Sequence, residues 1–414
     1  MKAILVIADG MADVPLKALK GRTPLEAAEV PSLDEIAKKG ICGLVDVIGP
    51  GIPPGSDTAH LALLGYDLIE SYTGRGALEA IGSGVDILPN DLAFRCNFAT
   101  VDADFIVLDR RAGRITSEEA ATLTAAIQES IKMNPPEVGD ILFTNTVQHR
   151  AILRLSGPKL SAFVSDTDPH RTGQKVLQAH ALDENPEAEH TANVLNTLTL
   201  QLHDALTDHP VNKRRASNGL PVANAVLFRG VGTLPELDPL SLLYGIHPAA
   251  IAAVPLVKGV CKAAGMRLIN VEGGNGTYET ETKAKAQAAI TSLQRFDFVL
   301  VHVKATDLAS HDRNPQKKIQ MIEKVDVLVA YLLQHIDSED VFLAVTADHT
   351  TSSVKGEHSG EPVPLAISGP NVRRDDVGEF GERPCGRGGL GRIRGVDLMP
   401  ILMNLLGKAE KAGS

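Results

Sequence analysis

The chain has 414 residues, 43% hydrophobic and 22% charged, an ordinary globular balance that is long enough for two domains or one large one. Its net charge of -10 and 4% aromatic content argue against a nucleic-acid partner, with no broad basic face and few rings for base stacking. No stretch approaches the roughly 20 apolar residues of a membrane span, the opening MKAILVIADG lacks the apolar length and cleavage site of a signal peptide, and four scattered cysteines (Cys42, Cys96, Cys261, Cys385) without a CxxC pair fit a reduced, cytoplasmic protein.

Taken in chain order, AILVIADG (3–10) reads as a buried strand that stops at a polar residue. SLDEIAKKG (32–40) reads as a short helix with Ser32 as its N-cap, and GLVDVIG (43–49) as a strand. The loop PGIPPG then opens into a helix from about Ser56 to Leu64. The middle of the chain changes character. Residues 83–109 and 140–155 alternate apolar and polar residues in strand fashion. Helices are predicted over 117–130 and 186–209, and a strand over 223–232. After that, strand and helix alternate: strands over 266–273, 296–307, 340–349 and 362–369, helices over 278–294, 315–336 and 395–407. This is the pattern of a parallel sheet flanked by helices. The N-terminal strand is expected to join that sheet, which makes the chain an α/β protein. Residues 1–71 and 251–414 form its main domain, and residues 72–250 an inserted α+β domain.

Asp9, Asp307 and Asp348 share one context, each at or within a few residues of the end of a buried-strand pattern. Ligands of open parallel sheets bind beyond the carboxyl ends of the strands, so the three carboxylates are expected to converge there. Together they repel unless a cation neutralises them. His311 stands four residues after Asp307, His349 directly follows Asp348, and His358 lies in the loop KGEHSGEPVP. Taken singly, an aspartate after a strand is usually a turn residue. As a set with Ser56, the seven are too many for one tetrahedral ion and suit two divalent ions about 3.5–4 Å apart clamping a phosphoryl group. Mixed Asp/His ligation suits Mn²⁺ or Zn²⁺ better than Mg²⁺ or Ca²⁺.

Ser56 has two readings. It caps its helix, or it is a nucleophile held where an anion sits at a helix N-terminus. A divalent ion beside the hydroxyl would lower its pKa and make a nucleophile of it. The two uses compete for one oxygen.

These residues, with the stretches ILVIADGMAD, TPLEAAEVPSLDEIAKKG, PPGSDTAHLALLGYD, YTGRGALEAIG, SDTDPHRTG, VHVKATDLASHD, TADHTT, HSGEPVPLAI and GGLGRIRGVDLMPILMNLLGKAE, carry a resemblance. The sequence resembles the cofactor-independent phosphoglycerate mutases of the archaeal type, in the alkaline phosphatase superfamily, over nearly its whole length. The resemblance implies an alkaline-phosphatase-like sheet domain with an inserted substrate domain. It implies one metal on Asp9, Ser56, Asp348 and His349, and another on Asp307, His311 and His358. Mn²⁺ comes first among the metals, before Mg²⁺, Co²⁺ or Zn²⁺. Ser56 would be transiently phosphorylated, with no bisphosphoglycerate needed, and the inserted domain would close over the site to keep water from phosphoserine.

A substrate with a phosphate and a carboxylate needs several cations, and arginine is the expected clamp. The candidates are His149 and Arg150 in VQHRAIL, Asp168, His170 and Arg171 in SDTDPHRTG, Arg229 in AVLFRGVG, and Lys258. The rival readings are a phosphomonoester hydrolase using the same ligands, a phosphotransferase of the homoserine kinase kind, and a binding protein stabilised by metal without chemistry. The sequence carries no signal of oligomeric state.

Overall fold

The computed structural model describes residues 1–133, 138–409, 411 and 413, and the chain divides into two compact units. Residues 1–72 with 236–414 form the first, and residues 73–235 the second. Residues 236–250 pack with the first unit, whereas the sequence pattern places them in the insertion. The chain has already begun a strand of the first unit's sheet at Pro248.

In chain order the strands of the two units are β1 (Lys2–Ala8), β2 (Ile41–Asp46), β3 (Leu92–Val101), β4 (Val107–Asp109) and β5 (Asp140–Asn145). There follow β6 (Arg150–Ser156), β7 (Ala225–Gly232), β8 (Pro248–Ile251), β9 (Arg267–Leu268) and β10 (Phe298–Val303). The last are β11 (Val341–Thr346), β12 (Thr350–Ser352), β13 (Glu357–Ser359), β14 (Val363–Ser368) and β15 (Gly391–Arg394).

The first unit is built on one sheet of order β15-β2-β14-β11-β1-β10-β8-β9. β1 lies between β11 and β10 and is parallel to both. Its residues Ala3–Ala8, like all of β10 and β11, are buried, as expected for strands covered on both faces. The helices Thr282–Ser292 and Pro315–His335 pack against each other, and the latter also against Pro31–Lys39. The sheet departs from the all-parallel expectation at β14, which runs antiparallel to β11 and β2. β11 and β14 are joined through the small β12–β13 hairpin, not a crossover helix, so the chain comes back in the opposite direction.

The helix expected to be capped by Ser32 starts two residues earlier, with Val30 at the cap and Pro31 at its first position. Its free N–H groups at Ser32 and Leu33 donate to Asp326 Oδ1, both at 2.8 Å, so a carboxylate from a neighbouring helix does the work of a cap.

The second unit is an antiparallel sheet in which β3 pairs with β6 and β7. The alternation LAFRCNFATV divides β3 between two faces. Leu92, Phe94, Cys96 and Phe98 enter a core shared with Leu195, Leu198 and Leu202 of the helix Pro186–Thr207. Ala93, Arg95 and Asn97 face the other side. Among the described residues no helix is long and apolar enough to cross a membrane, and the four cysteines are buried and free.

Candidate active site

The three central strands of the first unit's sheet, β11, β1 and β10, end side by side. Asp9 directly follows β1, Asp348 comes two residues after β11, and Asp307 sits in the first turn of the helix Ala305–His311 that follows β10. Asp9, Asp307, Asp348 and His349 are each at most 1% exposed. The ligand atoms of Asp307, His311 and His358 lie within 4.8 Å of one another, as do those of Asp9, Asp307 and His349. Asp307 therefore belongs to both groups. Asp348 Oδ2 lies 3.2 Å from His349 Nε2, and Asp9 Oδ1 lies 3.5 Å from the same nitrogen. His311 Nε2 is 3.3 Å and His358 Nε2 3.6 Å from Asp307. All seven residues singled out in the sequence thus meet in one place.

Ser56 is the first residue of the helix Ser56–Leu63, not its cap. Gly55 holds the cap position, and its N–H donates to Thr58 Oγ1 at 3.1 Å while that hydroxyl donates back to Gly55 O at 3.0 Å. The Ser56 hydroxyl is left free of capping and stands 3.2 Å from His349 Nε2.

The three histidines are oriented alike. The Nδ1 of His311 meets Gly356 O at 2.8 Å, that of His358 meets Pro54 O at 2.8 Å, and that of His349 meets Thr351 Oγ1 at 2.9 Å. A carbonyl can only accept, so His311 and His358 donate from Nδ1 and turn Nε2 toward carboxylates. In a neutral ring that Nε2 is a lone pair facing an anion, which repels unless a proton or a metal cation stands between them, and the bond to Asp307 raises His311 above its ordinary value. Asp348 Oδ2 is buried without a hydrogen-bond partner, the second mark of a missing positive charge. The donor set and the orphaned oxygen fit divalent cations, with the outer nitrogens fixed as metal-ligating histidines require.

One charged group was not picked out in the sequence. Lys304, between the end of β10 and Asp307, donates to both oxygens of Asp9 at 3.1 and 3.0 Å and to Asp307 Oδ2 at 2.5 Å. Burial works against its charge, but Asp9, Asp307 and Asp348 outweigh that and hold its pKa above the ordinary lysine value. Burial likewise raises the carboxyl of Asp9, yet Lys304 and the bond from His302 bring it well below the usual range. Asp307 is lowered in the same way: Lys304, His311 and His349 overcome its burial. Asp348 goes the other way, raised by burial and by the charge of Asp9. One lysine does not balance three carboxylates. His302 and His60 complete the inner layer: His302 Nε2 binds Asp9 Oδ2 at 2.9 Å, and His60 Nδ1 binds Ser56 O at 2.7 Å. Burial first, then the neighbouring His302, pushes His60 down to about 3, so it is neutral.

Gly10 allows the close approach. Its φ is +60°, its N–H donates to Asp348 Oδ1 at 2.9 Å, and a Cβ there would lie 2.6 Å from both Asp307 Oδ1 and Thr351 Oγ1. Gly10→Ala is expected to destabilise the chelated protein by about 1–2 kcal/mol for the left-handed backbone, and to weaken cation affinity by displacing Asp307. Thermal melts and cation titrations of the same preparation check both effects.

The substrate candidates fall in two places. Lys258 lies in the first unit, on the helix Pro255–Ala263, and its charge adds to the burial that brings Lys285 down to about 8. The others are in the second unit. Arg229 on β7 stands opposite Arg95 on β3, and Arg150 on β6 opposite Asn97. Positions 95 and 97 share a face, so one sheet face gathers Arg95, Arg150 and Arg229. Arg75 joins them, with Glu79 facing Arg95 at 3.1 Å and Arg75 at 3.9 Å. Burial, opposed by Glu79 and aided by Arg229, Arg150 and Arg75, brings Arg95 down to about 9. His149 is brought down to about 4 by burial and then by Arg150, Arg111, Arg95 and Arg229.

Asp168 is engaged by protein groups. Arg110 grips both its oxygens, at 3.0 and 2.6 Å, the His170 N–H donates to it at 2.9 Å, and Arg229 lies 3.7 Å away. The His170 ring is 3.0 Å from Asp166, and His170 and Arg171 line an exposed recess with Arg110 and Arg111. Arg75, Arg95 and Arg110 were missed in the sequence. The signal available was the arginine at position 95 of a strand whose alternate residues Leu92, Phe94, Cys96 and Phe98 are apolar.

Comparison with known proteins bears on the whole chain. The family model described as 2,3-bisphosphoglycerate-independent phosphoglycerate mutase matches residues 37–212, and the one described as type I phosphodiesterase / nucleotide pyrophosphatase matches residues 247–366. A curated 2,3-bisphosphoglycerate-independent phosphoglycerate mutase of Methanococcus vannielii is 45% identical over 414 residues, covering 100% of both chains. The solved structure of a Pyrococcus horikoshii protein superposes with a TM-score of 0.87 at 38% identity, over 100% of this chain and 99% of the other. That of a cofactor-independent phosphoglycerate mutase from Thermoplasma acidophilum gives a TM-score of 0.69 at 36% identity, over 98% and 100%.

Proposed function

The chain belongs to the family of 2,3-bisphosphoglycerate-independent phosphoglycerate mutases, and from that premise we propose how its own residues interconvert 3-phosphoglycerate and 2-phosphoglycerate. Ser56 Oγ attacks the phosphoryl group of 3-phosphoglycerate in line, the bond from phosphorus to the 3-oxygen breaks, and that oxygen leaves as a hydroxyl. Glycerate stays bound and turns. Its 2-hydroxyl then takes the phosphoryl group from Ser56, and 2-phosphoglycerate leaves.

Asp9, Ser56, Asp348 and His349 would hold one divalent cation, and Asp307, His311 and His358 the other. Mn²⁺ is the first choice for this mixed Asp/His set, with Mg²⁺, Co²⁺ and Zn²⁺ as alternatives. When bound, the cations supply positive charge at the phosphoryl oxygens and favour the ionised form of a neighbouring hydroxyl. Lys304 stays protonated and adds a charge that the protein fixes before the reaction. The helix Ser56–Leu63 turns its free N–H groups toward the same anion.

On the second unit, Arg95, Arg150 and Arg229, with Arg75 beside them, would hold the substrate's carboxylate, and Asp168 would hold Arg110 and Arg229 in place. Arg150→Ala and Arg229→Ala are each expected to raise KM for phosphoglycerate by about 10–100-fold, the worth of a hydrogen bond to a charged group. Their Ser56 labelling at saturating substrate should remain.

The observation that carries this reading is the uncapped Ser56 hydroxyl 3.2 Å from His349 Nε2 amid an uncompensated carboxylate cluster. An enolase-coupled assay tests it, run on chelated protein without bisphosphoglycerate and with Mn²⁺, Mg²⁺, Co²⁺ or Zn²⁺ restored. Formation of 2-phosphoglycerate only after a cation is restored is the expected result. Free phosphate without 2-phosphoglycerate would mark a hydrolase, and dependence on ATP a kinase.

A further inference from the structure

We propose that Thr351 is a positioning residue shared by the two cation groups, orienting a histidine of one and a carboxylate of the other through a single hydroxyl. The proposal rests on the two-cation reading above.

Thr351 Oγ1 lies 2.9 Å from Asp307 Oδ1 and 2.9 Å from His349 Nδ1. A hydroxyl has one proton to give and lone pairs to accept with. Thr351 Oγ1 donates to Asp307 Oδ1, and the other oxygen of that carboxylate accepts from Lys304 at 2.5 Å. The one Thr351 proton is thus used on Asp307, and what remains for His349 is a lone pair. That forces the His349 proton onto Nδ1. Its Nε2 is left bare, facing Asp348 Oδ2 at 3.2 Å, Asp9 Oδ1 at 3.5 Å and Ser56 Oγ at 3.2 Å. The same hydroxyl fixes which way Asp307 turns between His349 on one side and His311 and His358 on the other.

Thr351 is itself held rigidly. Its N–H donates to Ala12 O at 3.0 Å. The fully buried Lys318 donates to Thr351 O at 2.8 Å, to Ala12 O at 2.9 Å and to Asp13 Oδ2 at 3.0 Å, clamping the turn after β1 to β12. Across the hairpin Thr351 pairs with His358, which stacks on His349 with ring centroids 3.6 Å apart. A ligand of each group is thus held by the hydroxyl of one residue that is itself fully buried.

The test compares Thr351→Val, which keeps the shape and removes the hydroxyl, with Thr351→Ser, which keeps the hydroxyl. Mn²⁺ and Co²⁺ are titrated into the chelated full chain, bound ion is counted by mass spectrometry, and the visible spectrum of bound Co²⁺ is recorded. The Val variant is expected to bind both ions about 10–100-fold more weakly, as loss of a partner behind a metal ligand does. Its Co²⁺ spectrum should change, and the Ser variant should restore both readouts. Unchanged affinity in the Val variant, loss at one ion alone, or equal loss in Val and Ser would each overturn the proposal. If the Val variant does not fold, Thr351→Ala replaces it; failure of both where Ser folds assigns the hydroxyl to the fold and also overturns the proposal. A wild-type chain that binds neither ion would instead bring down the two-cation reading itself.

Discussion

Ser56→Ala is expected to remove mutase turnover, by about 10⁴–10⁶-fold, the loss seen when an enzyme's nucleophile is deleted. The geometry makes the variant interpretable. The Ser56 side chain caps nothing, since Gly55 and Thr58 close the helix start between themselves. Truncation is therefore expected to leave the helix in place, with the cation proposed for Asp307, His311 and His358 still bound. Turnover is read in the enolase-coupled assay. A second readout is rapid quenching with labelled 3-phosphoglycerate followed by peptide mapping. Wild-type protein should yield a phosphorylated peptide containing Ser56 and the variant none. Normal turnover in the variant would remove Ser56 from the reaction.

Asp307→Asn carries the second large effect. Asp307 is the one carboxylate among the three residues proposed for the second cation, its ligand atom lies within 4.8 Å of those of Asp9 and His349, and it also accepts from Lys304 and Thr351. Replacing it removes the negative charge of that set while keeping the side chain's shape. The second ion is expected to be lost, and the rate with it. A metal's share of transition-state stabilisation is several kcal/mol, so the rate should fall roughly 10³-fold or more at ordinary cation concentration. His358→Ala is the contrast, because it removes a neutral ligand of the same set and leaves the Asp307 charge in place. Ion content by mass spectrometry should fall from two per chain to one in the first variant, and return to two at high cation concentration in the second. Two ions retained by Asp307→Asn at ordinary cation concentration would contradict the role given to Asp307.

The sheet domain was legible where strands are buried on both faces. The runs at β1, β10 and β11 are continuous and apolar, and a chemistry-bearing residue follows each within a few positions. That is why Asp9, Asp307 and Asp348 stood out. Strand direction was not legible at β14, because a buried run reads the same both ways. β8 was missed for a different reason: PAAI is four residues with one β-branched side chain, too short and too plain to show periodicity.

The Ser32 cap expected for its helix failed because the helix begins at Pro31, which puts Ser32 inside the first turn, where its own N–H and that of Leu33 go to Asp326, distant in sequence. Lys304 was hidden by its neighbours. A lysine at a strand end reads as a solvated terminus, and only the fold puts carboxylates on both sides of it. The arginine face of the second unit depends on register. Nothing in the sequence says that 229 pairs with 95 or 150 with 97. Thr351 was invisible for the plainest reason, since one threonine of a TT pair looks like a strand residue until His349 and Asp307 are seen on either side.

The most direct measurement is anomalous diffraction from crystals of the chelated protein reloaded with Mn²⁺. Two peaks are predicted, one among Asp9, Ser56, Asp348 and His349, the other among Asp307, His311 and His358. No peak beside Ser56, or manganese bound only at some other carboxylates of the surface, would contradict the account.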